Sequence, residues 1–183
     1  MSLKIRTAVF PDDIPGIAAL DTAFTTSQVY KVAVSGDRIE LVPHDLDQPL
    51  TKRFPLDDLE SPNRPYDTAW VAVENESIIG FAAASYASWN RRLVLWHLYV
   101  NPARRGRGVA RALLQSVEAH ATACGARHIW LETSSLNAPG VAAYRALGFS
   151  LSGVDLTLYD GTPAEGEVAL FFSRPVLSRG VVS

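Results

Sequence analysis

The sequence predicts an α/β fold: a central mixed, mostly antiparallel sheet with helices on both faces. Three observations predict it. One βα unit opens the chain, a meander of strands follows, and the remainder reads βαβαββ, an order that layers helices against a sheet. At 183 residues the chain has the length of one domain with one core, so residues 1–183 are read as a single domain.

Leu3 to Phe10 alternates Leu3, Ile5, Thr7 and Val9 with polar neighbours, the pattern of a half-buried first strand. Pro11-Asp12-Asp13 then starts a helix, with acids where the helix dipole favours them. That helix carries Ile14, Ile17, Ala18, Leu20 and Asp21 and is expected to end near Phe24-Thr25-Thr26. Tyr30–Val34 and Ile39–Val42 flank Ser35-Gly36-Asp37-Arg38, a hairpin signal. Pro43 to Pro65 is rich in Pro, Asp and Leu without a clean period, so residues 43–65 are expected to form a long surface loop with a short helical turn. Ala69–Val73, Ile78–Ser85 and Leu93–Val100 read as the antiparallel meander. A helix from about Arg105 to Cys124 carries the stripe Ala110, Leu113, Leu114, Val117, Ala121 and Cys124, with Gly125 at its C-cap. His128–Thr133 is a strand, Pro139–Leu147 a helix stopped by Gly148, and Phe149 onward holds two more strands.

Composition narrows the function classes. Hydrophobic residues make up 48%, ordinary for a globular chain. Lys and Arg number 17 against 19 acids, a net charge of −2, which disfavours nucleic acid as a partner. Cys124 is the single cysteine and cannot make an internal disulfide, which suits a reducing cytoplasm. No stretch has the roughly 20 apolar residues of a membrane span, and Met1 to Arg6 lacks a signal-peptide core. A soluble cytoplasmic protein with no membrane partner is expected.

The sharpest local signal is Arg105-Gly106-Arg107-Gly108-Val109-Ala110, which follows the Asn101-Pro102 turn and opens an amphipathic helix. Backbone N–H groups at a helix start bind anions, and glycines let a phosphate approach closely. Arg104, Arg105, Arg107 and Arg111 crowd the same helix end, where the dipole alone disfavours cations; a bound anion would explain them. A solvated basic turn is the plainer reading. The Gly-Lys-Ser/Thr of a Walker loop is absent, and the dinucleotide fingerprint fails because Arg111 stands where its third glycine belongs.

The segment Leu98 to Ala110 resembles the acetyl-CoA pyrophosphate signature of the GNAT superfamily: Arg105, Gly108 and Ala110 meet its pattern of Gln or Arg, Gly, then Gly or Ala in order. A second element of that superfamily, Asn followed by Tyr and a Gly-Phe pair, matches Asn137, Tyr144 and Gly148-Phe149. A closer likeness, to the streptothricin (nourseothricin) acetyltransferases, is carried by Leu20-Asp21 with Phe24-Thr25-Thr26, by Pro49–Lys52 and by Trp89–Arg92. Leu131-Glu132 with Asn137-Ala138-Pro139, and Leu158–Thr162, carry it further. That group acetylates an amine on the lysine-like arm of a cationic antibiotic. One departure stands out: where the group is expected to carry Glu-Asp on the strand entering the cofactor loop, this chain has Trp96-His97.

The resemblance implies the GNAT fold, acetyl-CoA as cosubstrate, no metal, a small-molecule amine acceptor, and a homodimer as a reasonable state. It implies that Arg105, Gly106, Arg107, Gly108, Val109 and Ala110 hold the pyrophosphate through backbone N–H groups. Leu98, Tyr99 and Val100 would line the pantetheine arm, paired through the Leu98 and Val100 backbone. Asn137 would hydrogen-bond the cofactor, and Tyr144 would serve as general acid to the leaving thiolate. The proton acceptor is either His97, whose ordinary pKa suits the task, or Glu132. Asp21 and Asp155 are candidates for holding a substrate cation, and Trp89 and Tyr159 for walling its pocket; each has a capping, solvated or core role as its plainer reading. Acetylation of a peptide or protein amine is the alternative function, and a non-catalytic acyl-CoA sensor a third, opposed by the presence of both Asn137 and Tyr144.

Overall fold

In the computed structural model, which describes residues 3–176, the elements run β1 (Lys4–Thr7), α1 (Ile14–Ala18), β2 (Ala23–Ser35), β3 (Arg38–Arg53), β4 (Thr68–Glu74) and β5 (Ser77–Ala87), then β6 (Arg92–Val100), α2 (Val109–Ala123), β7 (His128–Ser134), α3 (Ala138–Ala146), β8 (Ser150–Asp155) and β9 (Ala169–Pro175). They fall into two units: residues 3–22, 54–130 and 175–176, and residues 23–53 and 131–174.

In the first unit the strands lie in the order β1-β4-β5-β6, antiparallel throughout, and residues 128–130 of β7 pair parallel with β6. Each face of β5 meets a different helix. Phe81 and Ala83 join Ile17, Leu20, Leu59 and Tyr66 in a buried cluster on the α1 side. Gly80 points the other way: a Cβ there would come within 3.1 Å of Leu113 Cδ1 and 3.2 Å of Val109 Cγ1, so its bare backbone is what lets α2 lie close. Helices therefore cover both faces of this sheet, as expected. The stripe on α2 buries Val109, Leu113, Leu114, Val117 and Ala121, and Gly125, at φ +74°, ends it.

Helix α1 stops at Ala18, short of the expected Phe24–Thr26. Pro15 and Gly16 leave it few strong helix formers, and the β-branched Thr22, Thr25 and Thr26 favour the strand that follows. Its start is fixed by Asp13, which accepts from Arg6 Nη1 at 2.6 Å, Arg6 Nη2 at 2.7 Å and the Val9 N–H at 2.7 Å. The hydrogen bond from Arg6 is the main reason the Asp13 carboxyl lies below its ordinary range. A depressed folded-state pKa stabilises the fold above the ordinary aspartate value and loses that contribution as pH falls through the folded value. Asp13→Asn should therefore cost about 1–2 kcal/mol at neutral pH, the low end for a charged hydrogen bond because Arg6 is partly exposed, and progressively less below about pH 4. Urea denaturation at both pH values checks this.

In the second unit β2 and β3 form a two-stranded ribbon closed by the turn at Gly36-Asp37, while β7, β9 and β8 lie side by side in that order. The expected hairpin is present but far longer than read. Residues 43–53, expected in the loop, belong to β3, with Thr25 opposite Thr51 and Tyr30 opposite Pro43. The irregular segment is residues 54–67. A ribbon exposed along most of β3 shows no in-out alternation, and an exposed strand tolerates Pro43 and Pro49 where a central one would not. Helix α3 ends at Gly148, at φ +88°, as the sequence predicts.

Candidate active site

The glycine-rich segment is a turn ahead of the helix, with α2 starting at Val109 rather than Arg105. Gly106 and Gly108 sit at φ +74° and +83°, conformations that side chains rarely adopt, and a Cβ at either would meet no protein atom within 4 Å. The first intrahelical bond runs from the Ala112 N–H to the Gly108 carbonyl at 3.0 Å, so the N–H groups of the opening turn have no partner within the helix, the arrangement that receives an anion. The arginines divide. Arg104 Nε pairs with Glu74 at 2.6 Å and Arg105 Nε donates to the Val100 carbonyl at 3.0 Å, so these two brace the turn against β4 and β6. Arg107 stays exposed. Strand β6 pairs with β7 over Arg92–Val94 and continues to Val100, which carries Leu98, Tyr99 and Val100 past that pairing to the glycine turn.

A β-bulge decides where His97 points. Leu95 lies opposite Ala84 and His97 opposite Ala83, leaving Trp96 as the extra residue. Leu93 and Leu95 therefore face α2, whereas His97 and Tyr99, opposite Ala83 and Phe81, turn to the α1 side. There the His97 ring is packed by Tyr66, Phe81 and Tyr99 at centroid distances of 5.4, 5.6 and 5.6 Å. Its Nε2 lies 2.7 Å from Asp58 Oδ2, and both side chains are mostly buried. His97 Nδ1, Asp58 Oδ1 and the Tyr66 hydroxyl are buried without a hydrogen-bond partner. Burial, then the Asp58 charge, push the Tyr66 phenol upward in pKa. Trp96 itself is 47% exposed, with its indole N–H on Ser85 Oγ at 2.9 Å.

In the second unit Glu132 accepts a hydrogen bond from the Tyr159 hydroxyl, and Glu167 is held by Lys52 and Ser134. Glu132 is exposed, yet the protein packed around its carboxyl raises its pKa, with Tyr159 and Lys52 opposing. Tyr159 is raised by burial and then by Glu132. Tyr144 packs edge-on to Phe149 at 6.1 Å and against Phe172 at 6.3 Å; burial first and the Glu132 charge second push its phenol up to about 12. Asn137, 5% exposed, is the N-cap of α3: its Oδ1 accepts from the Gly140 N–H at 3.0 Å and its Nδ2 donates to Thr133 Oγ1 at 3.0 Å. Those bonds use one N–H and one lone pair of the amide, which keeps a second N–H and a second lone pair for a further partner.

Within the first unit, then, the structure puts Leu98–Val100 and the glycine turn at one end of β6, with His97 beside them. Trp89 does not join them: it is 87% exposed in the β5–β6 turn, roughly 17–20 Å along the strand from His97. Asp21 is half-buried between α1 and β2. Within the second unit, Glu132 and Tyr159 come together and the Glu132 charge acts on Tyr144. Asp155 is engaged in its own turn, where Oδ1 accepts from the Thr157 N–H at 2.8 Å and its hydroxyl at 2.9 Å; these bonds hold its carboxyl below the ordinary range. Sequence reasoning missed Asp58, Tyr66 and Glu167. Lys52 stood inside a stretch singled out by resemblance, and its charge alone was the available signal.

Comparison with known proteins identifies the family. The profile of the Acetyltransferase (GNAT) family matches residues 38–149. A streptothricin acetyltransferase of Streptomyces lavendulae is 42% identical over 172 residues, 90% of this chain and 91% of that protein. The crystal structure of nourseothricin acetyltransferase superposes with a TM-score of 0.86 at 42% identity, over 97% of this chain and 100% of that one. A Bacillus anthracis protein assigned as a streptothricin acetyltransferase, solved in complex with acetyl coenzyme A, gives a TM-score of 0.80 at 25% identity, over 95% and 99%.

Proposed function

Because this chain belongs to the GNAT acetyltransferase family and is an acetyl-CoA-dependent N-acetyltransferase, we propose that its acceptor is a primary amine of a streptothricin-like cationic antibiotic. The observation that carries the substrate class is the 42% identity spread over 90% of the chain, well beyond the cofactor signature. The residues fit acetyl-CoA: open glycines at positive φ ahead of α2 leave room that a Cβ would take, beside helix-start N–H groups that no intrahelical bond uses. When bound, it supplies an acetyl thioester whose sulfur leaves as a thiolate. Gly106 to Ala110 hold the phosphates, and Leu98–Val100 line the arm with their backbone. The Val100 carbonyl is already committed to Arg105, so Leu98 has the freer groups.

His97 removes a proton from the acceptor ammonium, directly or through a water, so that the nitrogen has a lone pair to attack with. Glu132, raised in pKa, is the alternative acceptor. Tyr144 Oη serves the leaving sulfur. At about 12 its phenol is a weaker acid than an ordinary thiol near ~8.5, so it acts foremost as a neutral hydrogen-bond donor to the developing charge. Tyr144 passes its proton to the sulfur as the second proton of the attacking nitrogen, carried directly or through a water, returns to the phenol, so that a neutral amide and a neutral thiol are formed. Asn137 positions α3, and through it Tyr144, on a fixed helix start. Tyr159 holds Glu132, and Asp21 and Asp155 remain the candidates for the substrate's further cations.

No helix among the described residues is long and apolar enough to cross a membrane. We read the cytoplasm as its compartment, which suits a lone thiol, and a homodimer as its state, checked by sedimentation. The function is tested by following thiol release from acetyl-CoA across streptothricin, aminoglycosides, polyamines and short peptides. Streptothricin should give the highest kcat/KM by at least tenfold. Turnover of peptides without turnover of streptothricin would transfer the assignment to a peptide acetyltransferase.

A further inference from the structure

We infer that Asp58 is the positioning residue of the proton acceptor, fixing His97 as the tautomer that carries its proton on Nε2 and keeps its lone pair on Nδ1. The inference rests on the reading of His97 as that acceptor. Neutral imidazole has one N–H and one lone pair, and an ionised carboxylate can only accept. The 2.7 Å contact between Nε2 and Asp58 Oδ2 therefore assigns the N–H to Nε2. Nδ1, buried and without a protein partner, is the atom left to receive a proton.

The loop that brings Asp58 here is anchored rather than loose. Leu59 and Tyr66 are buried in the core cluster with Leu56 packed against it, and Arg64 stacks over Phe10 at 4.2 Å. Three buried polar atoms here have no partner: Asp58 Oδ1 and His97 Nδ1, which both accept, and the Tyr66 hydroxyl, which contributes one donor. A proton arriving at Nδ1 makes that atom a second donor. It leaves the acceptor nitrogen neutral, and the imidazolium charge is balanced by Asp58 within a ring of three aromatic side chains. Asp58 also returns a carboxylate to the place where Trp96-His97 stands instead of an acidic pair, now delivered from the loop and acting through the imidazole.

Nitrogen-15 spectra of the histidine-labelled enzyme should show the wild-type His97 protonated on Nε2, and Asp58→Asn should spread it over both tautomers. The same variant should lower kcat by roughly 10–10²-fold and leave KM for acetyl-CoA unchanged. In a His97→Gln background it should have no further effect, because a positioning residue has nothing left to position. A wild-type proton on Nδ1 overturns the inference, and that spectrum needs no folded variant. An equal loss from Asp58→Asn in both backgrounds also overturns it, assigning Asp58 to the substrate itself. Full activity in His97→Gln would instead overturn the reading of His97 on which the inference rests.

Discussion

Gly108→Arg should abolish acetyl-CoA binding while leaving the fold in place. The two halves of this expectation have separate causes. Gly108 holds φ +83° at the N-cap of α2, so any side chain is strained there, by about 1–2 kcal/mol. That is too little to unfold a domain of ordinary stability. Nothing in the protein lies within 4 Å of a Cβ at this position, so the new side chain collides with no protein atom at its root and instead fills the space a pyrophosphate needs. Its positive charge would attract the anion, so a loss can only be steric. Gly36→Arg is the control: it imposes the same kind of strain, at φ +57° with equally open surroundings, in the β2–β3 turn. Calorimetry should show no heat of binding for Gly108→Arg and unchanged affinity for Gly36→Arg. Unchanged affinity in the former would remove the glycine turn from the site.

Tyr144→Phe should lower kcat by roughly 10²-fold with KM for acetyl-CoA little changed, the pattern of an interaction made only in the transition state. The ring contacts with Phe149 and Phe172 survive the change, so packing is preserved and thermal stability should not fall. What is lost is one O–H aimed at a developing charge. Because burial and Glu132 keep the phenol protonated, with a pKa near 12, the wild-type contribution should persist across neutral and mildly alkaline pH. Single-turnover kinetics separates this step from product release. A kcat equal to wild type would reduce Tyr144 to a core aromatic.

The strands and helices with one buried side were legible, because burial leaves a period in the sequence: α2, α3 and the β4–β6 meander lie within a few residues of where they were read. The β2–β3 ribbon was half legible. Its turn is written in Gly36-Asp37, but an exposed strand has no inner face to mark, and Pro43 and Pro49 read as loop. The glycine turn at Gly106 and Gly108 was legible because glycine at positive φ is a chemical requirement visible in the residue itself. The His97–Asp58 pair was not. Simple alternation along Leu93, Leu95, His97 and Tyr99 puts all four on one face, and the Trp96 bulge, set by pairing with β5, moves the last two to the other. Asn137 was singled out by its place in a pattern, whereas its hydrogen bonds, one to the start of α3 and one to Thr133 of β7, leave no mark in the sequence.

The bulge at Trp96 makes chain length, rather than side-chain identity, the guarded property of this stretch. Any residue there supplies the extra backbone unit that carries β6 past β5 by one step, so many substitutions at position 96 should be absorbed. Removing the residue is different in kind. The strand would re-register, and every side chain from His97 to Val100 would exchange faces. His97 and Tyr99 would turn toward α2, while Leu98 and Val100 would turn toward Asp58 and Tyr66. Close relatives of this enzyme should therefore vary in sequence at position 96 far more readily than in the number of residues between Leu95 and His97.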